Sequence, residues 1–151
     1  MNKNQIKQIF DNSSLLLAKE IRYNVFCKEQ GVNPQADWDN KESVNYLAFI
    51  DNKAVATLRW RKAGRIVKIE RLCVLPEYRK QGIARKLMEQ SLEDIGVFIL
   101  KNNSTQEVKI NKILLHSQLS ALGLYESLGF KKQGKMFVEQ NIKHYTMTIE
   151  V

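Results

Sequence analysis

The segment from Ile66 to Gln90 constrains the fold more than any other part of the chain. It reads IVKIERLCVL, then PEYRKQGIA, then RKLMEQ. The first part has the length and apolar content of a buried strand, which Pro76 ends because proline lacks a backbone donor. The last part begins a helix with one apolar face. The apolar positions at helical spacing are Ile83, Leu87, Met88, Ser91, Leu92, Ile95 and Phe98. The segment therefore predicts a strand, a basic turn and a helix.

The basic turn has the features of an anion site. Arg79, Lys80 and Gln81 precede Gly82, and Ala84 follows. A glycine and a small residue at the start of a helix let an anion approach N–H groups that have no partner within the helix. A P-loop would need a second glycine and a Gly-Lys-Ser/Thr ending, and a dinucleotide fingerprint would need three glycines. The turn has neither pattern, so it predicts a phosphate site of another type.

Length and composition predict a single domain over residues 1-151, long enough to bury one core. No apolar run approaches membrane-spanning length, and the first ten residues lack the apolar region of a signal peptide, so we expect a cytoplasmic protein. Cys27 and Cys73 lie far apart without a companion ligand motif, and His116 and His144 are the two histidines of the sequence. We therefore predict neither a disulfide nor a metal site.

The net charge of +8 favours a polyanionic ligand, which could be a small phosphorylated molecule or a nucleic acid. The Lys and Arg residues are scattered through predicted helices, turns and termini. They form neither an arginine-rich tail nor the aromatic and basic strand pattern of an RNA-binding sheet. A nucleic-acid partner is therefore the less favoured of the two.

The N-terminal third predicts a strand and a helix. Residues 2–12 are expected to form a first strand or an extended arm. The helix LLLAKEIRYNVF follows, capped by the hydroxyl of Ser13 or Ser14 and ended by Gly31 and Pro34. Two strands, YLAFI and AVATLRWRK, then lead through turns into the strand of the organising segment.

The C-terminal third alternates turns with regular structure. After the long helix, KNNSTQEVK is predicted as a polar turn and KILLHS as a strand that ends near His116. QLSALGLYESLGF is predicted as a helix with Gly129 as its C-cap, and the remainder as two strands joined near Gln140 and Asn141. Sheet and helices together predict an α+β fold.

Two stretches resemble the signature motifs of the GNAT superfamily of N-acetyltransferases. Arg79, Gly82 and Ala84 match its acyl-coenzyme A motif, Arg/Gln-x-x-Gly-x-Gly/Ala, and RLCVLPEYR resembles its fourth strand. QLSALGLYESLGF resembles its second signature, a helix ending in Tyr-x-x-x-Gly-Phe, although Gln118 stands where the family more often has Asn. The resemblance implies a mixed, mostly antiparallel sheet with helices packed on both faces.

Two further segments resemble the small bacterial ElaA/YjcF-like branch of that superfamily. One is the pattern R-x-x-V-F-x-x-E-Q-x-V followed by an acidic loop, and the other is the ending E-x-x-I-x-H-x-x-M. The matching residues are Arg22, Val25, Phe26, Glu29, Gln30 and Val32 in the first and Glu139, Ile142, His144 and Met147 in the second. For the acidic loop, which contains Asp37, Trp38 and Asp39, a solvated connection is an equally good interpretation.

The resemblance implies how an acetyl-coenzyme A donor is held. The backbone of Cys73, Val74 and Leu75 would pair with the pantetheine arm, and an amide near Cys73 would face the thioester oxygen. The pyrophosphate would lie on the N–H groups of the turn, with charge added by Arg79 and Lys80. The implied donor-binding residues are Cys73, Val74, Leu75, Arg79, Lys80, Gln81, Gly82, Ile83, Ala84, Arg85 and Gln118.

The resemblance also implies that Tyr125 protonates the departing thiolate, because a tyrosine hydroxyl, with a reference pKa of about 10, is close enough to a thiol. Judged without the family, a tyrosine on an apolar helix face is more often a core residue. The base is left open among Glu70, His116, Glu29 and ordered water. The family's glutamate position falls at Ile69, and a shift of one residue reverses the face of a strand, so the direction of Glu70 is also open.

The favoured function is acetyl transfer from acetyl-coenzyme A to a primary amine of a small molecule, an amino acid or a protein, by direct attack. We expect a monomer or a homodimer without membrane association. The alternatives are an acyl-coenzyme A sensor that binds without turnover and a basic module that binds nucleic acid.

Overall fold

The structure is a computed structural model that describes residues 4–36 and 42–151. Asp37, Trp38 and Asp39 of the acidic loop lie outside the described residues. The α-helices are α1 (Asn12–Arg22), α2 (Ile83–Thr105) and α3 (Leu122–Ser127). The strands are β1 (Asn4–Ile9), β2 (Val44–Ile50), β3 (Lys53–Ala63), β4 (Ile66–Val74), β5 (Lys112–Gln118), β6 (Lys131–Glu139) and β7 (Ile142–Glu150).

The strands form one mixed sheet whose hydrogen-bonded order is β1-β2-β3-β4-β5-β7-β6. The β4–β5 pairing is parallel, whereas β1–β2, β2–β3, β5–β7 and β6–β7 are antiparallel. By its contacts the chain divides into two compact units. Unit 1 comprises Met1–Trp60 and Arg71–Asp94, and unit 2 comprises Arg61–Glu70 and Ile95–Val151. That residues 1-151 act as a single domain stays a prediction. None of the helices in the described part of the chain is long and apolar enough to cross a membrane.

The core of unit 1 forms around the first helix. Its buried side chains come from β1, α1, the π-helix that follows α1, β2 and β4, and they are Ile9, Ala18, Ile21, Val25, Leu47 and Cys73. The predicted serine cap is wrong, because the carboxylate of Asp11 accepts the Ser14 N–H at 3.0 Å and occupies the N-cap. The helix continues through the wider turns of a π-helix, Tyr23–Glu29, and ends before Gly31, whose φ of +75° confirms the predicted end.

Strand β4 contains an irregularity that the sequence did not reveal. Val67 and Ile69 are buried on alternate positions, but Glu70 is buried directly after Ile69. Arg71 has a φ of +61°, a left-handed conformation that is rare for a residue with a side chain. Such a residue inside a strand marks a bulge, which shifts the alternation of faces by one position. The face of Glu70 could therefore not be deduced by counting along the strand.

The predicted turn over KNNSTQEVK is wrong in its first half, since α2 continues to Thr105. The polar side chains there bind the next segment. The Asn102 amide donates to the Val108 carbonyl at 3.1 Å, and the Asn103 side chain both donates to the Ile110 carbonyl and accepts its N–H. These hydrogen bonds stabilise the last turn of α2, whose side chains are mostly polar.

The predicted hairpin turns are confirmed. Asp51 and Asn52 have φ values of +48° and +68°, and Gln140 and Asn141 have +50° and +61°. Two consecutive left-handed residues are typical of the type I′ turns that join antiparallel strands.

Helix α3 is shorter than predicted, but its end is confirmed. Gln118 is the last residue of β5, and a 3₁₀ turn, Leu119–Ala121, precedes the helix. At the C-terminus the Phe130 N–H donates to the Tyr125 carbonyl and the Gly129 N–H to the Glu126 carbonyl, each at 3.1 Å. With a φ of +97° at Gly129, this is a Schellman motif, which only glycine adopts without strain.

Candidate active site

The turn before α2 is an open cradle of backbone N–H groups. Lys80 and Gly82 have φ values of +62° and +79°. The Lys86 N–H donates to the Gly82 carbonyl at 3.1 Å, so the N–H groups of Ile83 and Ala84 precede the first N–H donor of the helix and point out of the helix end. A Cβ added to Gly82 would meet nothing within 4 Å. The turn therefore leaves room for an anion against the N–H groups, which fits the phosphates of a coenzyme A donor.

The other predicted residues of the turn differ in exposure. Lys80 and Gln81 are exposed, and the Gln81 amide lies 3.4 Å from the Glu77 carbonyl. The Ile83 side chain is buried, so it anchors the start of the helix. Arg85 is exposed and lies 3.8 Å from the Glu89 carboxylate one helical turn later. The charged side chains thus surround a backbone that packing holds in place.

Arg79 connects this turn to the end of the first helical segment. Its Nη1 and Nη2 each donate to a carboxylate oxygen of Glu29 at 2.6 Å, and its Nε donates to the Val74 carbonyl at 2.9 Å. The hydrogen bond from Arg79 lowers the pKa of the Glu29 carboxyl below its usual value. A carboxylate with a lowered pKa is a weak proton acceptor, which disfavours Glu29 as the base. Sequence reasoning gave both residues, from two separate motifs, but not their contact.

Removing this ion pair should change how stability depends on pH. The pKa of Glu29 is lower in the folded state, so the pair stabilises the fold above the unfolded value of about 4.5 and loses its contribution as the pH falls below it. Both side chains are 38% exposed, so we expect Glu29→Gln to cost no more than about 1 kcal/mol at pH 7. Urea unfolding at pH 7 and pH 3.5 measures the difference, which should be smaller at the lower pH. Glu89→Gln, at the more exposed Arg85 pair, is the control, and an equal pH-dependent loss there would contradict the assignment.

The end of β4 has one N–H on its open edge. The Leu75 N–H donates to the Val55 carbonyl of β3 at 2.9 Å. Because neighbouring residues of a strand direct their N–H groups to opposite edges, the Val74 N–H lies on the edge away from β3. The Val74 carbonyl accepts from Arg79 and keeps a second lone pair. Cys73 is 5% exposed and packs in the core of unit 1. Of the three predicted residues, Val74 therefore has an N–H directed away from β3.

Glu70, in unit 2, forms a buried ion pair. Its Oε1 accepts from Arg61 Nε at 2.8 Å, and the two side chains are 6% and 19% exposed. Removing one member of a buried pair leaves an uncompensated charge, so each fixes the other in place. The Glu70 carboxylate therefore faces Arg61 of β3, and its role as the base stays a prediction.

His116 belongs to an aromatic cluster on β5, β6 and β7. Its ring meets the edge of Phe137 with centroids 5.0 Å apart, and Phe137 stacks on His144 at 5.6 Å. His116 Nδ1 lies 3.4 Å from Glu139 Oε2. Burial lowers the pKa of His116, the charge of Lys68 lowers it further, and Glu139 opposes both. The sequence placed His116 at the end of its strand, but β5 continues for two more residues.

A bulge in β6 assembles this cluster. Gln133 pairs with Thr146 and Phe137 with His144, so three residues of β6 stand opposite one residue of β7. Gly134, with a φ of +77°, begins the extra length. Bulges turn side chains toward new neighbours, and this one brings Phe137 opposite His144. Sequence reasoning missed Phe137 and the partnership of Glu139 with His116, although Glu139 and His144 share one motif.

Tyr125 and Gln118 also lie in unit 2. Tyr125 is 8% exposed, and its ring meets the edge of Phe130 with centroids 6.1 Å apart. Gln118 pairs with His144 across β5 and β7. Within unit 2 the structure therefore groups Gln118 with the histidine cluster, and within unit 1 it groups the turn at Gly82 with Arg79 and Glu29.

A family model described as an acetyltransferase (GNAT) domain matches residues 17–151. The chain belongs to the GNAT acetyltransferase family. It is 32% identical to YyaT of Bacillus subtilis strain 168, over 97% of this chain and 95% of that protein. It is 27% identical to YjcF of the same organism, named as an N-acetyltransferase, over 97% and 93%. The crystal structure of Escherichia coli ElaA superposes with a TM-score of 0.75 at 23% identity, covering 97% of this chain and 98% of that one.

These similarities confirm the fold predicted from the motifs, an α+β GNAT fold built on a mixed sheet. They also confirm the resemblance to the ElaA/YjcF-like branch. Acyl transfer is the chemistry of the family.

Proposed function

We propose that this GNAT protein is an N-acetyltransferase that uses acetyl-coenzyme A to acetylate a primary amine by direct attack. The observation that supports this most strongly is the turn at Gly82, where two left-handed residues, outward N–H groups and open space coincide at the start of α2. Such a turn binds phosphate without any need for a second glycine.

In this proposal, backbone groups and charged side chains together bind the acetyl-coenzyme A donor. The N–H groups from Gln81 to Arg85 receive the pyrophosphate, and Lys80 adds an exposed positive charge. Arg79 shapes the turn through Glu29 and Val74, since these groups already engage its guanidinium. The strand backbone from Cys73 to Leu75 holds the pantetheine arm, with the Val74 N–H as donor to the thioester oxygen. Gln118, in place of the usual Asn, contributes a longer amide to the same donor.

The remaining chemistry requires a neutral amine and a protonated leaving group. Holding donor and acceptor together can lower the barrier by roughly 7–11 kcal/mol, so donor binding is a large part of the enzyme. We propose that Tyr125 gives its proton to the leaving thiolate. Among the candidate bases, the arginine contacts of Glu70 and Glu29 leave His116 as the side chain suited to accept a proton near neutral pH.

Calorimetric titration with coenzyme A, followed by thiol release from acetyl-coenzyme A with a panel of primary amines, tests this function. We expect binding, and amine-dependent release of one thiol for each acetylated product found by mass spectrometry. Binding without thiol release for any amine would instead indicate a sensor. No affinity for coenzyme A together with salt-dependent binding of oligonucleotides would indicate the nucleic-acid module.

A further inference from the structure

We infer that Glu139 positions His116 as the proton acceptor for the amine that attacks the thioester. This inference rests on the proposed N-acetyltransferase function and adds to it a positioning residue. It rests on the contact between His116 of β5 and Glu139 of β6, the first residue of the E-x-x-I-x-H-x-x-M ending.

The contact selects one form of the imidazole. A neutral histidine carries one N–H and one lone pair. With Nδ1 3.4 Å from Glu139 Oε2, the N–H belongs on Nδ1, and the lone pair belongs on Nε2. Hydrogen bonds between catalytic groups are often long before substrate binds, and they tighten in the complex. Glu139 therefore presents Nε2 as the basic atom.

The surrounding rings keep the imidazole in this orientation. Phe137 meets the His116 ring at an interplanar angle of 75°, and the same phenyl ring stacks on His144 at 19°. His144 Nδ1 lies 2.7 Å from the Ile142 carbonyl, which anchors the stack to the backbone of β7. The His116 side chain is still 30% exposed, so a small acceptor can reach it. The cluster is rigid on one side and open on the other.

The surroundings of His116 favour its neutral form. Burial, Lys68 and His144 lower the pKa of His116, and Glu139 raises it, with a net decrease below 6.5. His116 is therefore neutral at pH 7 and ready to accept a proton from the acceptor ammonium.

His116 and Tyr125 of this chain account for each proton that moves during acetyl transfer. His116 Nε2 takes one proton from the acceptor ammonium, and the free amine attacks the thioester carbon. The N–C bond forms and the C–S bond breaks, and the thiolate takes the Tyr125 proton. The second proton on nitrogen then restores the Tyr125 hydroxyl, and His116 returns its proton to solvent.

The test measures kcat/KM by thiol release with alaninamide, which has only an α-amine, and with Nα-acetyl-lysinamide, which has only an ε-amine. The pH profile should fall at low pH with an apparent pKa below 6.5. His116→Gln should lower kcat/KM by on the order of 10²-fold and remove that limb. Glu139→Gln should lower it by about 10-fold and move the limb to lower pH, because Glu139 raises the pKa of His116.

Glu150→Gln is the matched control, because Glu150 of β7 also lies near a positive group of β5, with its carboxylate 3.6 Å from Lys112 Nζ. It should change neither rate nor profile. Full activity of a folded His116→Gln variant would overturn the base assignment, while the N-acetyltransferase function stood. An unshifted limb in Glu139→Gln would overturn the positioning role. A wild-type protein that binds coenzyme A but acetylates neither amine would overturn the proposed function itself.

Discussion

Gly82→Val is expected to weaken coenzyme A binding by about 10- to 100-fold while the protein remains folded. The loss follows from two stabilising effects at the helix start, the N–H contacts to phosphate and the helix dipole, which together contribute on the order of 1–3 kcal/mol. A Cβ at Gly82 meets no protein atom within 4 Å, so valine would occupy the space left for the ligand. Titration calorimetry with coenzyme A and thermal unfolding of the same variant measure the two quantities.

Backbone strain must be separated from loss of ligand space. Gly82 has a φ of +79°, so any side chain there strains the backbone by on the order of 1–3 kcal/mol. Gly64, in the turn between β3 and β4, has a φ of +62° and equally open surroundings. Gly64→Val should therefore lower the melting temperature in a similar way but leave coenzyme A affinity unchanged. Unchanged affinity in Gly82→Val, or an equal loss in Gly64→Val, would contradict a phosphate cradle at Gly82.

The parts of the fold that sequence predicted well are those set by neighbouring residues. The left-handed pairs Asp51–Asn52 and Gln140–Asn141 and the cap at Gly129 were readable because each turn type demands particular residues. The N-cap was missed because Asp11 and Ser14 compete for the same role, and the acid three residues upstream has the favourable geometry. The residues near each turn were thus enough to predict its position, but they did not decide between Asp11 and a serine as the N-cap of α1.

The parts that sequence did not predict depend on distant residues. The sequence near Arg71 does not indicate a bulge. The left-handed residue is an arginine, whereas a glycine at this position would have suggested a left-handed conformation. The Arg79–Glu29 pair joins residues 50 positions apart, and each was recognised only inside its own motif. The site at His116 required the β6 bulge and the β5–β7 register before Glu139 could be identified as its partner. Candidate residues were therefore readable, whereas their pairing required the structure.

Tyr125→Phe should lower kcat by on the order of 10²-fold with little change in coenzyme A affinity. General acid catalysis typically contributes 10²- to 10⁴-fold, and a proton donated only as the thiolate departs affects turnover and not donor binding. The substitution keeps the ring and its edge contact with Phe130, so the packing of α3 should survive. Steady-state thiol release and calorimetric titration give the two constants. Tyr145→Phe is the control, because Tyr145 lies in the same unit and its ring, with Lys132 4.9 Å from the centroid, is equally preserved.

The leaving group provides a second test of Tyr125. An acetyl thioester of a more acidic thiol releases a thiolate that needs the proton less, so this donor should restore part of the activity of Tyr125→Phe and change the wild-type rate much less. The two possible roles of Tyr125, proton donor and core residue, therefore predict different results. A core role would lower the melting temperature of Tyr125→Phe, keep turnover per folded molecule intact and give no dependence on thiol acidity. Full turnover of a stable variant with both donors would assign protonation of the thiolate to water and leave the phosphate cradle, and the role of His116, unaffected.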